Sequence, residues 1–233
     1  MIKTILFDLD GTLLPMDQDV FVKAYFKGMA KKVGPLGYEP KSLVENIWKG
    51  TYGMIQNDGS CTNEEVFWNV FSQSYGNKVY EDKPVFDEFY HIEFQDVQSS
   101  CGYNEKVKEV IKQLKNNYQL LLATNPIFPC IATYSRVRWA GLETTDFEYI
   151  TTYENSHSCK PNLYYYQELV DKFNLNPEEC LMVGNDVSED MVASKLGMKV
   201  FLITDCLINK DNVDINQYPH GNFDDLLEYV KKC

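Results

Sequence analysis

The stretch ILFDLDGTLL, residues 5–14, joins a short apolar run to two closely spaced acids and an Asp-Gly turn. Residues 2–7 predict a buried strand, and Asp8 and Asp10 would point the same way from its end because alternate side chains of a strand share a face. Two like charges held this close repel by several kcal/mol unless a cation, a proton or water offsets the repulsion. A solvated turn is the alternative explanation of these residues, since Asp-Gly is common in turns. Both explanations stay open at this point.

Short apolar segments alternate with amphipathic segments along much of the remaining chain. Further strands are predicted at residues 119–123, 148–152, 181–183 and 199–203. Helices are predicted at residues 104–115, 128–139, 161–173, 188–196 and 223–231. This alternation is typical of a parallel sheet that is covered by helices on both faces, so we predict an α/β fold.

Residues 15–100 interrupt the alternation, because they contain no convincing strand. Helical patterns occur there near residues 19–33, 41–56, 63–75 and 84–97, with turn signals between them such as Asp58-Gly59 and Gly76-Asn77. We therefore predict two domains. Residues 1–14 and 101–233 form the α/β core, and residues 15–100 form an all-helical insertion placed after the first strand.

Composition excludes several classes of protein. The 233 residues include 34 acidic and 22 basic side chains, and a net charge of −12 argues against a nucleic-acid partner. No apolar run approaches the roughly 18 residues of a membrane span, and Asp8 interrupts the first apolar run, which argues against a secretory signal. Seven scattered cysteines and three isolated histidines fit neither a zinc site nor a disulfide framework. We expect a cytoplasmic protein with reduced thiols, no membrane partner and an undetermined oligomeric state, monomer or dimer.

Polar residues also follow two other predicted strands. Thr124 and Asn125 end the strand at 119–123, where they bind an anion or cap the next helix. Asn185 and Asp186 follow the strand at 181–183, and Asp190 comes four residues after Asp186. That spacing holds Asp190 near the same end of the sheet. A capped helix with an acidic first turn is the alternative explanation of this sequence.

The pair Lys160-Pro161 is the fourth signal. Pro161 suits a first helical turn, which places Lys160 beside a positive helix end, an unfavourable position unless an anion is near. A solvated surface lysine is the alternative. Because open α/β sheets bind ligands beyond the carboxyl ends of their strands, all four signals are expected at one edge. Carboxylates suit Mg²⁺, and hydroxyl, amide and lysine groups suit phosphate. The excess of negative charge there favours the protonated form of Asp10.

Taken in order, the four motifs resemble those of the haloacid dehalogenase-like (HAD) hydrolase superfamily. They are Asp8-x-Asp10-Gly11-Thr12, Thr124-Asn125, Lys160-Pro161 and Asn185-Asp186-x-x-x-Asp190. The resemblance covers essentially the whole chain. It implies a three-layer, Rossmann-like core with a parallel sheet, and it makes residues 15–100 a helical cap domain of the family's first type.

The resemblance also implies an activity and a role for each matching residue. The activity is a Mg²⁺-dependent phosphatase that hydrolyses a small phosphomonoester. Asp8 is the nucleophile that forms an aspartyl-phosphate, and Asp10 is the general acid and base. The phosphate-binding set consists of Gly11, Thr12, Thr124, Asn125 and Lys160, of which Lys160 also counts as catalytic. The metal set consists of Asp8, the backbone carbonyl of Asp10 and Asp186, assisted by Asn185 and Asp190.

Several alternatives remain. Asp10 argues against a dehalogenase, because dehalogenases of this family lack the second acid. A phosphomutase keeps the same motifs. A phosphonatase needs a lysine from the cap, where the candidates are Lys23, Lys27, Lys31, Lys32, Lys41 and Lys49. Outside enzymes, a phospho-accepting signalling domain combines the same residue types but lacks the insertion, and a degenerate family member would only bind.

The physiological substrate is the least determined property. Sugar phosphates, phosphoglycolate-like acids and nucleotides all carry the required phosphomonoester. The insertion is rich in aromatic residues that either stack on a substrate ring or form the insertion's own core: Tyr25, Phe26, Tyr38, Trp48, Tyr52, Phe67 and Trp68. Helical spacing favours the second interpretation.

Overall fold

A six-stranded sheet forms the centre of the computed structural model, which describes residues 1–233. All neighbouring strands are parallel, in the order β3-β2-β1-β4-β5-β6. The strands are β1 (Thr4–Phe7), β2 (Gln119–Leu122), β3 (Tyr149–Ile150), β4 (Cys180–Gly184), β5 (Lys199–Ile203) and β6 (His220–Gly221). The predicted α/β fold with a parallel sheet is confirmed. Strand β6 was not predicted, because it is two residues long and carries no apolar run.

The strand β1 lies in the middle of the sheet, where its four residues are fully buried. Phe7 pairs with Leu122 of β2 on one side and with Val183 of β4 on the other. The residues that follow these three strands therefore emerge at one edge of the sheet. This register explains why motifs that are far apart in sequence converge at a single place.

Between β1 and β2 the chain forms helices and no strand. They are α1 (Gln18–Val33), α2 (Pro40–Ile55), α3 (Asn63–Tyr75) and α4 (Lys78–His91), with 3-10 helices at Gly34–Leu36 and Glu93–Ser100. Side-chain caps begin three of the helices: Asp17 accepts from α1 amides, Glu39 from α2 amides, and Thr62 forms a capping box with Glu65 at α3. Residues 15–100 are called the helical insertion below.

The remaining helices cover the two faces of the sheet. They are α5 (Glu105–Leu114), α6 (Cys130–Trp139), α7 (Leu163–Phe173) and α8 (Phe223–Lys232), with short 3-10 helices at Thr144–Asp146, Pro177–Glu179, Met191–Leu196 and Ile215–Gln217. Helices α5, α6 and α8 share one apolar cluster with Ile5, Phe7 and the helical insertion. Helix α7 and Met191–Leu196 share a second cluster with Leu6 on the opposite face. The result is a three-layer arrangement. None of the helices combines the length and apolar character that crossing a bilayer requires.

Three helix predictions were wrong in detail. The helix predicted at 84–97 begins at Lys78 and contains Pro84 in its interior, because burial of Val79, Phe86 and Phe89 outweighs the amide hydrogen bond that the proline removes. The segment predicted at 188–196 is a 3-10 helix from Met191. Helix α7 begins at Leu163 with an Asn162 cap, so Pro161 precedes its first turn.

Candidate active site

A cleft of about 310 Å³ opens between the carboxyl edge of the sheet and the helical insertion. One side, here called the strand-end wall, consists of Asp8, Asp10, Thr124, Asn125, Asn185, Asp186, Glu189 and Asp190. The opposite side, here called the insertion wall, consists of Met16, Gln18, Phe21, Val22, Trp48, Thr51 and Ile55. The structure thus brings together residues from three of the four predicted motifs, and the fourth lies directly behind them.

Asp8 follows β1 and is 7% exposed. Its backbone amide donates to the carbonyl of Val183 at 2.9 Å, which extends the sheet pairing by one residue. The Nζ of Lys160 donates to Oδ1 at 2.9 Å, and the Thr12 hydroxyl donates to Oδ2 at 2.9 Å. Both carboxylate oxygens are therefore oriented by the protein, so the side chain is held in one position at the floor of the cleft.

Lys160 lies behind Asp8 and is 1% exposed, so it is not a solvated surface lysine. Its Nζ also donates to Oδ1 of Asp190 at 2.6 Å, while Oδ2 of Asp190 accepts from the amide of Asp186 at 2.9 Å. Burial alone would lower the pKa of Lys160, but the carboxylates of Asp190 and Asp8 raise that pKa well above its usual range. The lysine is a fixed cation shared by the first and last motifs.

Two glycines permit this close packing. A Cβ on Gly184 would lie 2.0 Å from Oδ2 of Asp190, and a Cβ on Gly11 would lie 2.3 Å from Nδ2 of Asn185. Gly11 also has a φ of +86°, a backbone conformation that side chains other than glycine disfavour. Both positions need glycine because other motif residues occupy the space.

Gly11 and Thr12 are not among the residues that line the cleft, and their phosphate-binding role stays a prediction. The amide of Gly11 donates to the carbonyl of Leu14 at 2.8 Å, so it is already engaged. The Thr12 hydroxyl lies 2.9 Å from Oδ2 of Asp8 and 3.0 Å from Oδ1 of Asn185. The Thr12 hydroxyl therefore joins the first and last motifs, and Gly11 packs against Asn185.

Thr124 and Asn125 both line the cleft. The carbonyl of Thr124 accepts from the hydroxyls of Thr151 at 2.6 Å and Tyr165 at 2.9 Å, which fixes the backbone at the end of β2. Nδ2 of Asn125 donates to Oε2 of Glu189 at 3.0 Å, while its Oδ1 is buried without a hydrogen-bond partner. An unpaired buried amide oxygen is unusual and marks this position as one that a ligand would satisfy.

Asp10 is directed toward the cleft, and its two carboxylate oxygens differ. Oδ2 lies 3.0 Å from Nη1 of Arg136, whereas Oδ1 is buried without a partner. Burial raises the pKa of Asp10 above its usual range, and Asp8 adds to the increase, while Arg136 and Lys160 oppose it. Desolvation is thus the leading cause, and it acts in the direction that the sequence analysis expected.

The proposed metal ligands have the chemistry that Mg²⁺ requires. Asp8 and Asp186 line the same cleft, and Oδ1 of Asp186 accepts from the amides of Ser188 at 2.8 Å and Glu189 at 3.0 Å. No three His, Cys, Asp or Glu side chains form a cluster of the kind that holds a metal. The predicted set has only two carboxylates and one backbone carbonyl, and Mg²⁺ typically binds one or two carboxylates together with waters and substrate phosphate. The donor set therefore fits Mg²⁺.

Four residues at the site were not predicted. Arg136 contacts Asp10, and Glu189 lies beside Asn125, where burial raises the pKa of its carboxyl to about 8 against the opposing effect of Lys160. The hydroxyls of Tyr165 and Tyr166 donate to the carbonyls of Thr124 at 2.9 Å and Glu189 at 2.7 Å. Of these four residues, only Arg136 has a feature in the sequence that could have identified it. It is one of two arginines in the chain, and it lies four residues after Ala132 on the apolar face of α6.

The geometry described above belongs to a known class of enzyme. The family model described as haloacid dehalogenase-like hydrolase matches residues 2–196, and the chain is a member of that family. The resemblance inferred from the four motifs is confirmed.

Named relatives are similar to this chain over most of its length. A glyceraldehyde 3-phosphate phosphatase from Methanothermobacter thermautotrophicus is 25% identical, with 98% of each chain covered. A phosphoglycolate phosphatase from Vibrio vulnificus is 26% identical, with 87% of this chain and 84% of the relative covered. Among solved structures, a 2-haloacid dehalogenase from Pseudomonas syringae has a TM-score of 0.67 at 20% identity. The similarity covers 100% of this chain and 99% of the dehalogenase chain. The last similarity supports the fold alone.

Proposed function

We propose that this chain is a Mg²⁺-dependent phosphatase that hydrolyses a small phosphomonoester through an aspartyl-phosphate on Asp8. One observation carries the proposal: Asp8 lies at the end of the central strand with one oxygen bound by Lys160 and the other by Thr12. A carboxylate that is fixed, buried and paired with a cation at the floor of a cleft is suited to in-line attack on phosphorus. The phosphatase names of two relatives support the same activity.

In this proposal the reaction has two half-reactions. Asp8 attacks phosphorus, the bond from phosphorus to the leaving oxygen breaks, and Asp10 gives that oxygen its proton. Water then attacks the phosphoryl group, Asp10 takes a proton from the water, and the carboxylate of Asp8 is regenerated. Thr124 and Asn125 bind phosphoryl oxygens, and Lys160 offsets the negative charge on Asp8. Mg²⁺ held by Asp8, Asp186 and the carbonyl of Asp10 would neutralise phosphate charge.

The substrate is proposed at the level of its chemistry. The relatives' names point to a small phosphorylated metabolite such as glyceraldehyde 3-phosphate or phosphoglycolate. Other sugar phosphates and nucleotides have the same reacting group. The helical insertion is proposed as a cap domain that selects among them, because it supplies the wall opposite the strand ends. The seven unpaired cysteines fit the proposed cytoplasmic location.

Two alternatives receive less support. A phosphonatase needs a cap lysine at the reacting carbon, and none of the six candidate lysines lines the cleft. Lys32 instead pairs with Glu88 at 2.8 Å and Glu93 at 3.0 Å, and Lys49 donates to Asn46. A dehalogenase has no use for Asp10 as an acid. A phosphomutase shares the strand-end wall, and only its products distinguish it.

A phosphate-release screen tests the proposal. Sugar phosphates, nucleotides, phosphoglycolate and phosphonoacetaldehyde are each incubated with the chain and Mg²⁺, with a 2-haloacid as the control for dehalogenation. We expect release of phosphate that excess chelator abolishes and that Ca²⁺ inhibits, because its larger and looser coordination misplaces the reacting groups. Full activity in excess chelator, or halide release without phosphate release, would contradict the proposal.

A further inference from the structure

Arg136 is the largest fully buried side chain of the protein. It projects from α6, and its Nη1 lies 3.0 Å from Oδ2 of Asp10, its only acidic partner. Its Nη2 donates to the hydroxyl of Thr133 at 3.3 Å, whereas Nε and Nη1 form no aligned hydrogen bond. The guanidinium lies 4.4 Å from the ring centre of Phe128 and 5.9 Å from that of Phe21. Aromatic faces and one carboxylate therefore make up most of its surroundings.

Stability alone does not account for this arrangement. Taking a guanidinium out of water carries a penalty of several kcal/mol, which one ion pair repays only with excellent geometry and additional hydrogen bonds. Here two of the three guanidinium nitrogens lack a hydrogen bond. Apolar residues of similar volume are often neutral or stabilising in place of such a pair. An apolar residue at position 136 could not make the contact with Asp10, so that contact is what the arginine provides.

The consequence of that contact is a difference between the two oxygens of Asp10. Oδ2 is held by the cation, and Oδ1 is left without a partner while the side chain lines the cleft. Arg136 therefore fixes the orientation of the Asp10 carboxyl at the edge of the cleft.

We propose that Arg136 is a positioning residue that holds the carboxyl of Asp10 in the orientation that reaches the leaving oxygen of the substrate. The inference rests on the function proposed above. Arg136 transfers no proton itself: the carboxyl of Asp10 gives its proton to the departing alkoxide and later accepts one from the attacking water, while the guanidinium keeps that carboxyl in place. Loss of Arg136 leaves Asp10 present but poorly aimed, so reactions that need proton transfer suffer most.

The experiment compares two substrates in two pairs of variants. Arg136→Gln and Arg136→Lys are set against Arg138→Gln and Arg138→Lys, because Arg138 is an exposed arginine on the same helix whose Nη2 donates to Ser135. Each variant is assayed with an alkyl phosphate, whose leaving group needs a proton, and with p-nitrophenyl phosphate, whose leaving group needs little. Thermal melting records folding, and intact mass after rapid quenching records the fraction of chains that carry a phosphoryl group.

We expect Arg136→Gln to lower kcat for the alkyl phosphate at least about tenfold more than for the aryl phosphate, with KM nearly unchanged. Arg136→Lys should restore part of the difference, because it keeps the charge without the planar fork. The phosphorylated chain should accumulate with the aryl substrate, and the Arg138 variants should match wild type. Equal losses with both substrates, or loss of folding in both Arg136 variants, would assign Arg136 to stability and overturn the proposal. A wild-type chain inactive on both substrates would instead refute the proposed function.

Discussion

The strand-end wall and the insertion wall face each other across one cleft, yet they are built from different interactions. In the strand-end wall, Asp8, Asp186 and Asp190 are joined to one another and to Lys160 behind them by hydrogen bonds of 2.6–2.9 Å. The insertion wall is mostly apolar, and it continues into a second cavity of about 80 Å³ lined almost entirely by hydrophobic side chains. In the proposed function, the charged sheet edge carries out the chemistry, and the apolar insertion wall shapes the space for the substrate.

The largest effect is expected from Asp8→Asn, which removes the proposed nucleophile from the strand-end wall. We expect no measurable turnover, because no neighbouring side chain can replace a carboxylate at the end of β1. The variant should still fold, since the change is nearly isosteric and relieves repulsion between carboxylates. Asp19→Asn, at an exposed position in α1, is the matched control. A residual rate above about a tenth of wild type would show that the nucleophile lies elsewhere.

Lys160→Ala is expected to lower kcat/KM by about two to three orders of magnitude, roughly 3–4 kcal/mol. The reason is that the fixed cation is lost while Asp8 and Asp190 remain buried beside each other. Lys172→Ala is the control, because Lys172 is exposed and donates to the hydroxyl of Tyr149. Thermal melting should show a loss of stability as well. An unchanged kcat/KM would remove Lys160 from the proposed mechanism.

Gly184→Ala should have an intermediate effect on both activity and stability. The added methyl group would collide with Asp190, and overpacking of this kind typically costs about 1–3 kcal/mol of unfolding free energy. Displacement of Asp190 from Lys160 should also reduce kcat/KM, by about tenfold. Gly34→Ala is matched to it, since no atom lies within 4 Å of its added Cβ. Wild-type stability and activity in Gly184→Ala would show that the packing behind Asp8 is looser than described.

The smallest effect is expected in the insertion wall, from Trp48→Ala. Trp48 lines the cleft and is 50% exposed, whereas Tyr52 on the same helix is 64% exposed and lies outside the cleft. We expect a rise in KM of about threefold with kcat nearly unchanged, because only substrate contact is removed, and no change for Tyr52→Ala. Initial rates over a range of substrate concentrations separate the two constants. A fall in kcat at constant KM would give the insertion a part in the chemistry.

The sequence predicted the strand-end wall well because short local motifs combine there with a general rule. Asp8, Thr124 and Asp186 each follow an apolar run, and parallel strands place such residues at one edge. The phosphate-binding role of Gly11 and Thr12 came from the resemblance alone and stays a prediction, since neither residue lines the cleft. A local pattern shows which residues follow a strand, but it does not show which of their side chains face the cleft.

Sequence patterns did not predict contacts between distant segments of the chain. The sequence shows that Arg136 is an arginine on an apolar helix face, but no nearby residue predicts that it contacts Asp10. The helix predicted near residues 84–97 likewise omits the first turns of α4, because propensity rules place a proline at a helix start and do not include burial of Phe86 and Phe89. In both cases tertiary packing decides the outcome.

The most direct test of the central claim is to trap the phosphoryl group on Asp8. Asp10→Asn is mixed rapidly with p-nitrophenyl phosphate, quenched in acid and mapped by mass spectrometry of its peptides. Because asparagine cannot activate water but a nitrophenolate leaves without a proton, the account predicts a burst of nitrophenol near one equivalent per chain, then a much slower steady state. The phosphoryl group should be found on Asp8. Equal slowing of alkyl and aryl phosphates without a burst, or a phosphoryl group on another residue, would contradict the roles assigned to both acids.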